Sequence, residues 1–108
     1  MVEELIQELA KSGAIKILRV LKNGDKRMIE IVKETGLDKS TVWRRLKEFE
    51  DVYYLIETQY NREIKAPIYR LTPTAKEIVE KLEELEKAYN SHLSSIPPKE
   101  PEEFLGGR

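Results

Sequence analysis

A chain of 108 residues with 40% apolar residues is long enough for one domain with a small core. It contains no cysteine, which excludes disulfides, thiolate metal sites and cysteine catalysis, and no apolar run approaches the ~20 residues that span a bilayer. The N-terminus lacks the cations and the continuous apolar core of a secretion signal, so we expect a cytoplasmic protein.

Charge is distributed unevenly along the chain, although the formal net charge is only −1. Residues 1–10 carry three acids and no base, residues 11–72 carry 14 bases and nine acids, and residues 73–108 carry five bases and eight acids. A basic middle segment between acidic ends is compatible with a polyanionic partner, because local charge matters more than the total for such a partner.

Two short amphipathic helices are predicted before residue 23, because apolar residues recur there at helical spacing. Gly13 separates them, and the turn sequence "NGD" ends the second. The apolar face of the first helix needs a partner, and a two-fold mate would supply one. That face consists of Val2, Leu5, Ile6 and Leu9.

A third and a fourth helix follow, separated only by a short turn. Gly36 ends the third, since Gly supplies the left-handed conformation that helix C-caps need. Asp38 can cap the fourth, which we expect over residues 39–50. The apolar face of the fourth helix follows the spacing i, i+4, i+7 and consists of Val42, Leu46 and Phe49.

The sequence pattern changes after residue 51. The runs "VYYLIETQY" and "IYRL" are rich in β-branched and aromatic residues, which predicts two strands. The polar segment "NREIKAP" between them predicts a hairpin tip too long for a two-residue turn. Thr72 and Pro73 then predict the start of a last helix that reaches the low nineties, followed by a flexible tail over residues 96–108.

Apolar residues of the last helix have an average spacing of about 3.5 residues, which is typical of a seam between two helices. The alternative is that the first of them simply cover the hairpin. Leu85 and Tyr89 lie too far along the helix for that, because a small domain has little left to cover there. We therefore predict a homodimer whose interface includes Leu5, Leu9, Ile78, Leu82, Leu85 and Tyr89.

The order of helices, hairpin and long helix is similar to that of the winged helix-turn-helix DNA-binding domains of the ArsR/MarR type in prokaryotic regulators. The matching stretches are "AIKILRVLKNG", "MIEIVKETGLDKSTVWRRLKEF" and "YYLIETQY…IYRLTPTAKEIVEKL", between residues 14 and about 85. The resemblance implies a mainly α fold with a small β-hairpin, a flanking N-terminal helix and a long C-terminal helix. Relatives usually have a Gly between the recognition helix and the first wing strand, where this chain has "EDVYYL", so we expect an unusual exit from that helix.

The resemblance also implies a transcription regulator that binds double-stranded DNA as a homodimer. Recognition helix 39–50 would enter the major groove, with wing 58–68 on adjacent backbone. Residues 1–12 and helix 73–95 would make the dimer contacts around winged domain 13–72. The alternative is a winged-helix module that docks a protein partner and binds DNA weakly or not at all, because one fold serves several functions.

Hydroxyls and cations occupy the face of the fourth helix opposite its apolar stripe, with no acid before Glu48. The helix N-terminus adds a partial positive charge that favours phosphate. An ordinary solvated face is the alternative, but Trp43 is a large apolar ring where solubility alone would not place one; it could also pack under the wing or against the preceding helix. The predicted DNA-binding residues are Lys39, Ser40, Thr41, Trp43, Arg44, Arg45 and Lys47 in the helix, with Arg62 and Lys65 at the wing tip.

Catalysis and cofactors are not expected. His92 is the only histidine, no cysteine accompanies it as a metal ligand, and the five glycines form no phosphate-binding loop. We therefore predict no enzyme activity, no cofactor and no metal, while the sequence indicates nothing about a small-molecule effector.

Overall fold

The computed structural model describes residues 1–98, and its elements follow the predicted order. The two strands form one antiparallel hairpin, which confirms the predicted mainly α, winged helix-turn-helix architecture. Within residues 1–98 no helix is long and apolar enough to cross a membrane. The elements are α1 (Val2–Leu9), α2 (Ala14–Lys22), α3 (Met28–Thr35), α4 (Lys39–Asp51), β1 (Ile56–Asn61), β2 (Ala66–Leu71) and α5 (Pro73–Ser94).

The core forms around α2, which contacts α3, α5 and β2. The predicted apolar face of α4, Val42, Leu46 and Phe49, is buried in this core. Burying a side chain of that size contributes about 1.5–3 kcal/mol, so the stripe holds α4 with its opposite face outward. The buried residues of α2 are Ala14, Ile17, Leu18 and Leu21.

Gly13 connects α1 to α2 in a conformation that other residues rarely adopt. Its φ is +77°, in the left-handed region. A Cβ at this position would also lie 2.4 Å from Leu37 Cδ1. The glycine therefore permits both the turn and the close approach of the segment that joins α3 to α4.

The connection between α3 and α4 confirms the predicted C-cap. Gly36 has a φ of +73° and ends α3 in the left-handed conformation. Asp38 occupies the N-cap position of α4, but its side chain makes no cap hydrogen bond. Its carboxylate instead accepts a hydrogen bond from the Ser40 hydroxyl. The helix extends to Asp51, one residue beyond the predicted end.

The chain leaves α4 in a turn. The prediction of a strand directly after the helix was wrong for its first four residues. Residues 52–55 form this turn and β1 begins at Ile56. Tyr54 has a φ of +54° in it, near the position where relatives usually have a Gly. The Leu55 N–H then donates to the Phe49 carbonyl oxygen at 2.7 Å, which closes the turn. The missing glycine is thus replaced by a tyrosine that adopts the conformation a glycine would favour.

The hairpin forms the wing, with residues 62–65 at its tip beyond the ladder pair Asn61 and Ala66. At the other end, the backbones of Lys26 and Tyr69 exchange two hydrogen bonds, with N···O distances of 3.0 and 2.8 Å. These bonds attach the wing to the connection between α2 and α3. The wing therefore has a fixed position relative to α4.

The start of α5 is as predicted. The Thr72 hydroxyl accepts a hydrogen bond from the Ala75 N–H at 3.1 Å, and Pro73 is the first helical residue. Ala75 and Val79 are its buried residues. Val79 was absent from the predicted stripe, because a spacing of 3.5 residues leads from Ala75 to Ile78 instead.

Ion pairs hold the middle of α5 against α2. Arg19 Nη2 lies 3.0 Å from Glu86 Oε1, and Lys22 pairs with Glu83. Beyond Glu86 every described residue of α5 is exposed. The predicted flexible tail lies outside the described residues from position 99 onward.

Candidate nucleic-acid interface

The surface of α4 opposite the core is basic. No acidic residue occurs in its first turn, so the side chains there carry only positive charge or hydroxyls. Because helix N-terminal N–H groups also favour anions, this end of α4 is suited to phosphate. The exposed predicted residues are Lys39, Ser40, Trp43, Arg44 and Lys47, and Thr41 is half-buried.

Trp43 lies on this surface and is 54% exposed. It does not belong to the side chains that pack against the core. An exposed indole beside Arg44 presents an apolar ring and one N–H donor. Such a side chain can contact a thymine methyl group or a sugar.

The Ser40 hydroxyl already has a partner in the free protein. It donates to Asp38, and this bond, with that from Thr41, lowers the pKa of the Asp38 carboxyl. Ser40 therefore retains acceptor capacity but can donate to a phosphate only by leaving Asp38.

Lys47 closes the basic surface at its C-terminal end. Its ammonium lies 3.3 Å from Asp51 Oδ2 and 3.8 Å from Glu50 Oε1. Exposed pairs of this kind contribute little, so a phosphate can compete for Lys47. In the described part of the chain, Lys39 and Arg44 have no carboxylate within 4.0 Å.

Arg45 is not part of this surface, so the structure does not support its predicted DNA contact. It is only 7% exposed. Its Nε donates to the Ser12 carbonyl oxygen at 3.0 Å, and its Nη1 donates to Glu48 Oε1 at 3.1 Å. The side chain turns toward the end of α1 because one helical step of about 100° separates it from Arg44.

The wing tip presents Arg62 and Lys65, both exposed. Asn61 Oδ1 accepts hydrogen bonds from the backbone N–H groups of Glu63 and Ile64 at 2.9 and 3.2 Å, which orders the tip. Lys65 has a φ of +53°, so the chain leaves the tip in the left-handed conformation. The two cations are therefore held on a defined turn.

A shallow cleft of about 370 Å³ lies between the wing and the two helices of the helix-turn-helix. Its most exposed apolar residue is Ile29, at 67%. Helical spacing places Met28, Ile31 and Val32 on one apolar face of α3, and Ile29 lies outside that set. The cleft is lined by Arg27, Met28, Ile29, Val32, Lys39, Ala66 and Pro67.

A second apolar surface runs along α1 and α5, away from the core. Leu5, Ile78 and Leu82 are half-buried, while Leu85 and Tyr89 are 65% and 60% exposed. An open groove of about 330 Å³ separates Leu5 from the α5 residues. We name this surface, with exposed Val2, Ile6 and Leu93 at its margins, the α1–α5 face.

Leu9 does not belong to the α1–α5 face, although it was predicted in the dimer interface. It is 8% exposed and packs in the core of its own chain. The first helix is short enough that its last turn is covered by α2. The remaining predicted dimer residues stay accessible.

No group of three or more histidine or acidic residues is arranged to hold a metal ion within residues 1–98.

The chain is similar to one protein family and to several solved structures. A model of the HxlR-like helix-turn-helix family matches residues 8–97. No curated protein matches the chain. The reduced form of the transcriptional regulator YodB from B. subtilis is 28% identical, with a TM-score of 0.72 over 79% of this chain and 84% of that chain.

Two further solved structures resemble the chain. The transcriptional repressor BigR from Xylella fastidiosa is 25% identical, with a TM-score of 0.67 over 82% of this chain and 85% of that chain. Rv0081 from M. tuberculosis is 20% identical, with a TM-score of 0.75 over 86% and 92% of the two chains. At that identity the last similarity shows the fold alone.

Proposed function

The chain belongs to the HxlR-like helix-turn-helix family and is a DNA-binding transcription regulator, and we propose that it reads duplex DNA with α4 in the major groove and the wing on adjacent backbone. The observation that carries this proposal is the division of α4 into two faces. One face is buried in the core, and the other exposes cations, a hydroxyl and an indole. The alternative, a protein-docking module, is not favoured, because the similar proteins are transcriptional regulators.

Each exposed cation of this surface has a proposed role that follows from its chemistry. Arg44 is placed to read a guanine with two hydrogen bonds, since a guanidinium matches the O6 and N7 acceptors. Lys39 and Lys47 hold phosphates near the two ends of the basic surface. Arg62 and Lys65 hold phosphates at the wing tip, and these contacts fix position without reading sequence.

We also propose that the protein acts as a homodimer through the α1–α5 face. Leu85 and Tyr89 expose apolar surface that no other part of residues 1–98 covers, and Leu5 extends this surface onto α1. A two-fold mate would cover it with the same residues. Two α4 helices about 34 Å apart would then require a nearly palindromic DNA site.

We propose three further assignments. A narrower relationship to the ArsR/MarR type is suggested by the sequence stretches quoted above. Division into dimer contacts 1–12 and 73–95 around winged domain 13–72 follows from the proposed dimer, and a cytoplasmic location follows from the proposed DNA partner. The chain has no cysteine, so an effector that acts by oxidising a thiol is not proposed.

The experiment is a selection of binding sites from random duplexes, followed by titration of the selected site with wild type and Arg44→Ala. We expect wild-type affinity to fall steeply with salt, because phosphate contacts release counterions. Arg44→Ala should weaken the free energy of DNA binding by about 1–3 kcal/mol and relax the preference for one base pair of the site. Its thermal stability should remain within about 0.5 kcal/mol, since the side chain is exposed. Unchanged affinity at low salt would contradict the major-groove assignment.

A further inference from the structure

A network of four charged side chains connects α1 to α4. Glu8 is fully buried, although it is the charged residue at the end of a short surface helix. Lys11 Nζ lies 2.9 Å from Glu8 Oε1 and 3.2 Å from Glu48 Oε2, so its ammonium joins the two carboxyl groups. Arg45 completes the set, and we name these four residues, with the Ser12 carbonyl, the ionic clasp.

Glu48 is the centre of the clasp, because each of its oxygens accepts from a different cation. Arg45 Nη1 contacts Oε1 at 3.1 Å and Lys11 Nζ contacts Oε2 at 3.2 Å. The Nε of Arg45 additionally donates to the Ser12 carbonyl at 3.0 Å. Two residues of α4 are therefore fastened to the segment 8–12 by hydrogen bonds with defined directions.

The buried apolar stripe decides which face of α4 points outward, but it restricts small rotations of the helix less sharply than directional bonds do, because burial is non-directional. The buried stripe of α4 holds that helix in the core, whereas the clasp bonds depend on angle as well as distance. Arg45 adjoins Arg44 in sequence and Glu48 adjoins Lys47, so the clasp acts directly beside the basic surface. A change in its geometry would rotate that surface as a unit.

We propose that Arg45 and Glu48 are positioning residues that fix the rotation of α4 for DNA reading, through their bonds to Lys11 and the Ser12 carbonyl. This inference rests on the proposed function. It assigns to the N-terminal segment a part in base recognition without any contact to DNA. Helix α1 also contributes Leu5 to the α1–α5 face. The same helix therefore takes part in the proposed dimer and in the orientation of α4.

The buried position of Glu8 shifts the pKa of both carboxyl groups in the clasp. Burial raises the pKa of Glu8, the bond to Lys11 opposes this, and neighbouring Glu48 adds to the rise. Burial also raises the pKa of Glu48, but the neighbouring Glu8 carboxyl and the cations Lys11 and Arg45 outweigh it and lower that pKa. The two carboxyl groups thus interact with each other as well as with the cations.

The test compares affinity for the selected site with affinity for a random duplex in Arg45→Met, which keeps the long side chain and removes the guanidinium. We expect affinity for the selected site to fall about tenfold or more, the loss of at least one base contact. The affinity for the random duplex should stay within about twofold of wild type, and its salt slope should be the same, because the phosphate-binding cations remain. Arg45→Lys should recover part of the loss, since an amine reaches Glu48 or Ser12 but not both.

The matched control is Arg19→Met, which removes an arginine–glutamate pair between α2 and α5 and leaves α4 untouched. It should keep the wild-type ratio of the two affinities. If Arg45→Met unfolds, Glu48→Gln provides the same measurement with the side-chain shape retained, and the ratio should fall in the same way.

An unchanged ratio in a folded Arg45→Met or Glu48→Gln protein would overturn the positioning role. An equal loss of both affinities would overturn it too, because reduced folding lowers both together. Wild type that selects no preferred duplex would instead refute the proposed function, and the positioning role with it.

Discussion

Tyr54 is the residue at which the structure predicts a stabilising substitution. Its φ of +54° places a bulky residue in the left-handed region, at a cost of about 1–2 kcal/mol relative to glycine. The ring is 74% exposed, so its removal sacrifices little buried area. Tyr54→Gly relieves the strain but gives the unfolded chain more freedom, which costs about 0.4–1 kcal/mol. Tyr54→Gly should therefore raise the free energy of unfolding by about 0.5–1 kcal/mol.

Two further variants separate the backbone effect from the effect of the side chain. Tyr54→Ala keeps the left-handed strain and removes only the exposed ring, so its stability should change by less than about 0.5 kcal/mol. Gly36→Ala imposes the same strain at the C-cap of α3, where φ is +73° and a Cβ would meet nothing within 4 Å. The Gly36→Ala protein should have a free energy of unfolding about 1 kcal/mol lower than wild type.

The measurement is denaturant and thermal unfolding of all four proteins at one concentration, because a dimer makes apparent stability depend on concentration. For a domain of this size the gain corresponds to roughly 2–8 °C in Tm. A Tyr54→Gly protein less stable than wild type, beside a Gly36→Ala protein that loses stability as expected, would refute the reasoning. The ring would then stabilise the turn by more than the backbone strain costs.

Three other predictions concern the dimer, the wing and the clasp. Leu85→Glu with Tyr89→Glu should produce monomers in sedimentation without unfolding, since both are exposed; a persistent dimer would exclude the α1–α5 face. Arg62→Ala with Lys65→Asn should weaken binding to all duplexes alike and reduce the salt slope by about one per lost contact. Asn is chosen at position 65 because it tolerates the left-handed conformation. An altered base preference would mean that the wing tip reads bases. Burial raises the pKa of Glu8, so its contribution to stability is present below its ordinary value of 4.5 and is lost as pH rises through the folded pKa. The stability of Glu8→Gln relative to wild type should therefore increase as pH rises above 4.5, and a pH-independent difference would contradict the shift.

Much of this fold could be predicted because its signals are local. Helical spacing predicted all the helices, Gly36 and Thr72 predicted a helix end and a helix start, and the change to β-branched residues predicted the wing. The buried stripe of α4 also determined which residues face outward, because residues 100° apart around a helix have fixed relative directions. The exposure of Trp43 and Arg44 followed from that stripe.

The tertiary structure decided the residues at the margins of these patterns. Arg45 lies between the buried and exposed faces of α4, and its inward direction depends in part on Ser12, 33 residues away in the sequence. Leu9 has the same spacing as the exposed residues of α1, and the packing of α2 buried it. Periodicity specifies how residues are arranged around one helix, whereas burial at a boundary depends on neighbours that arrive from distant parts of the chain.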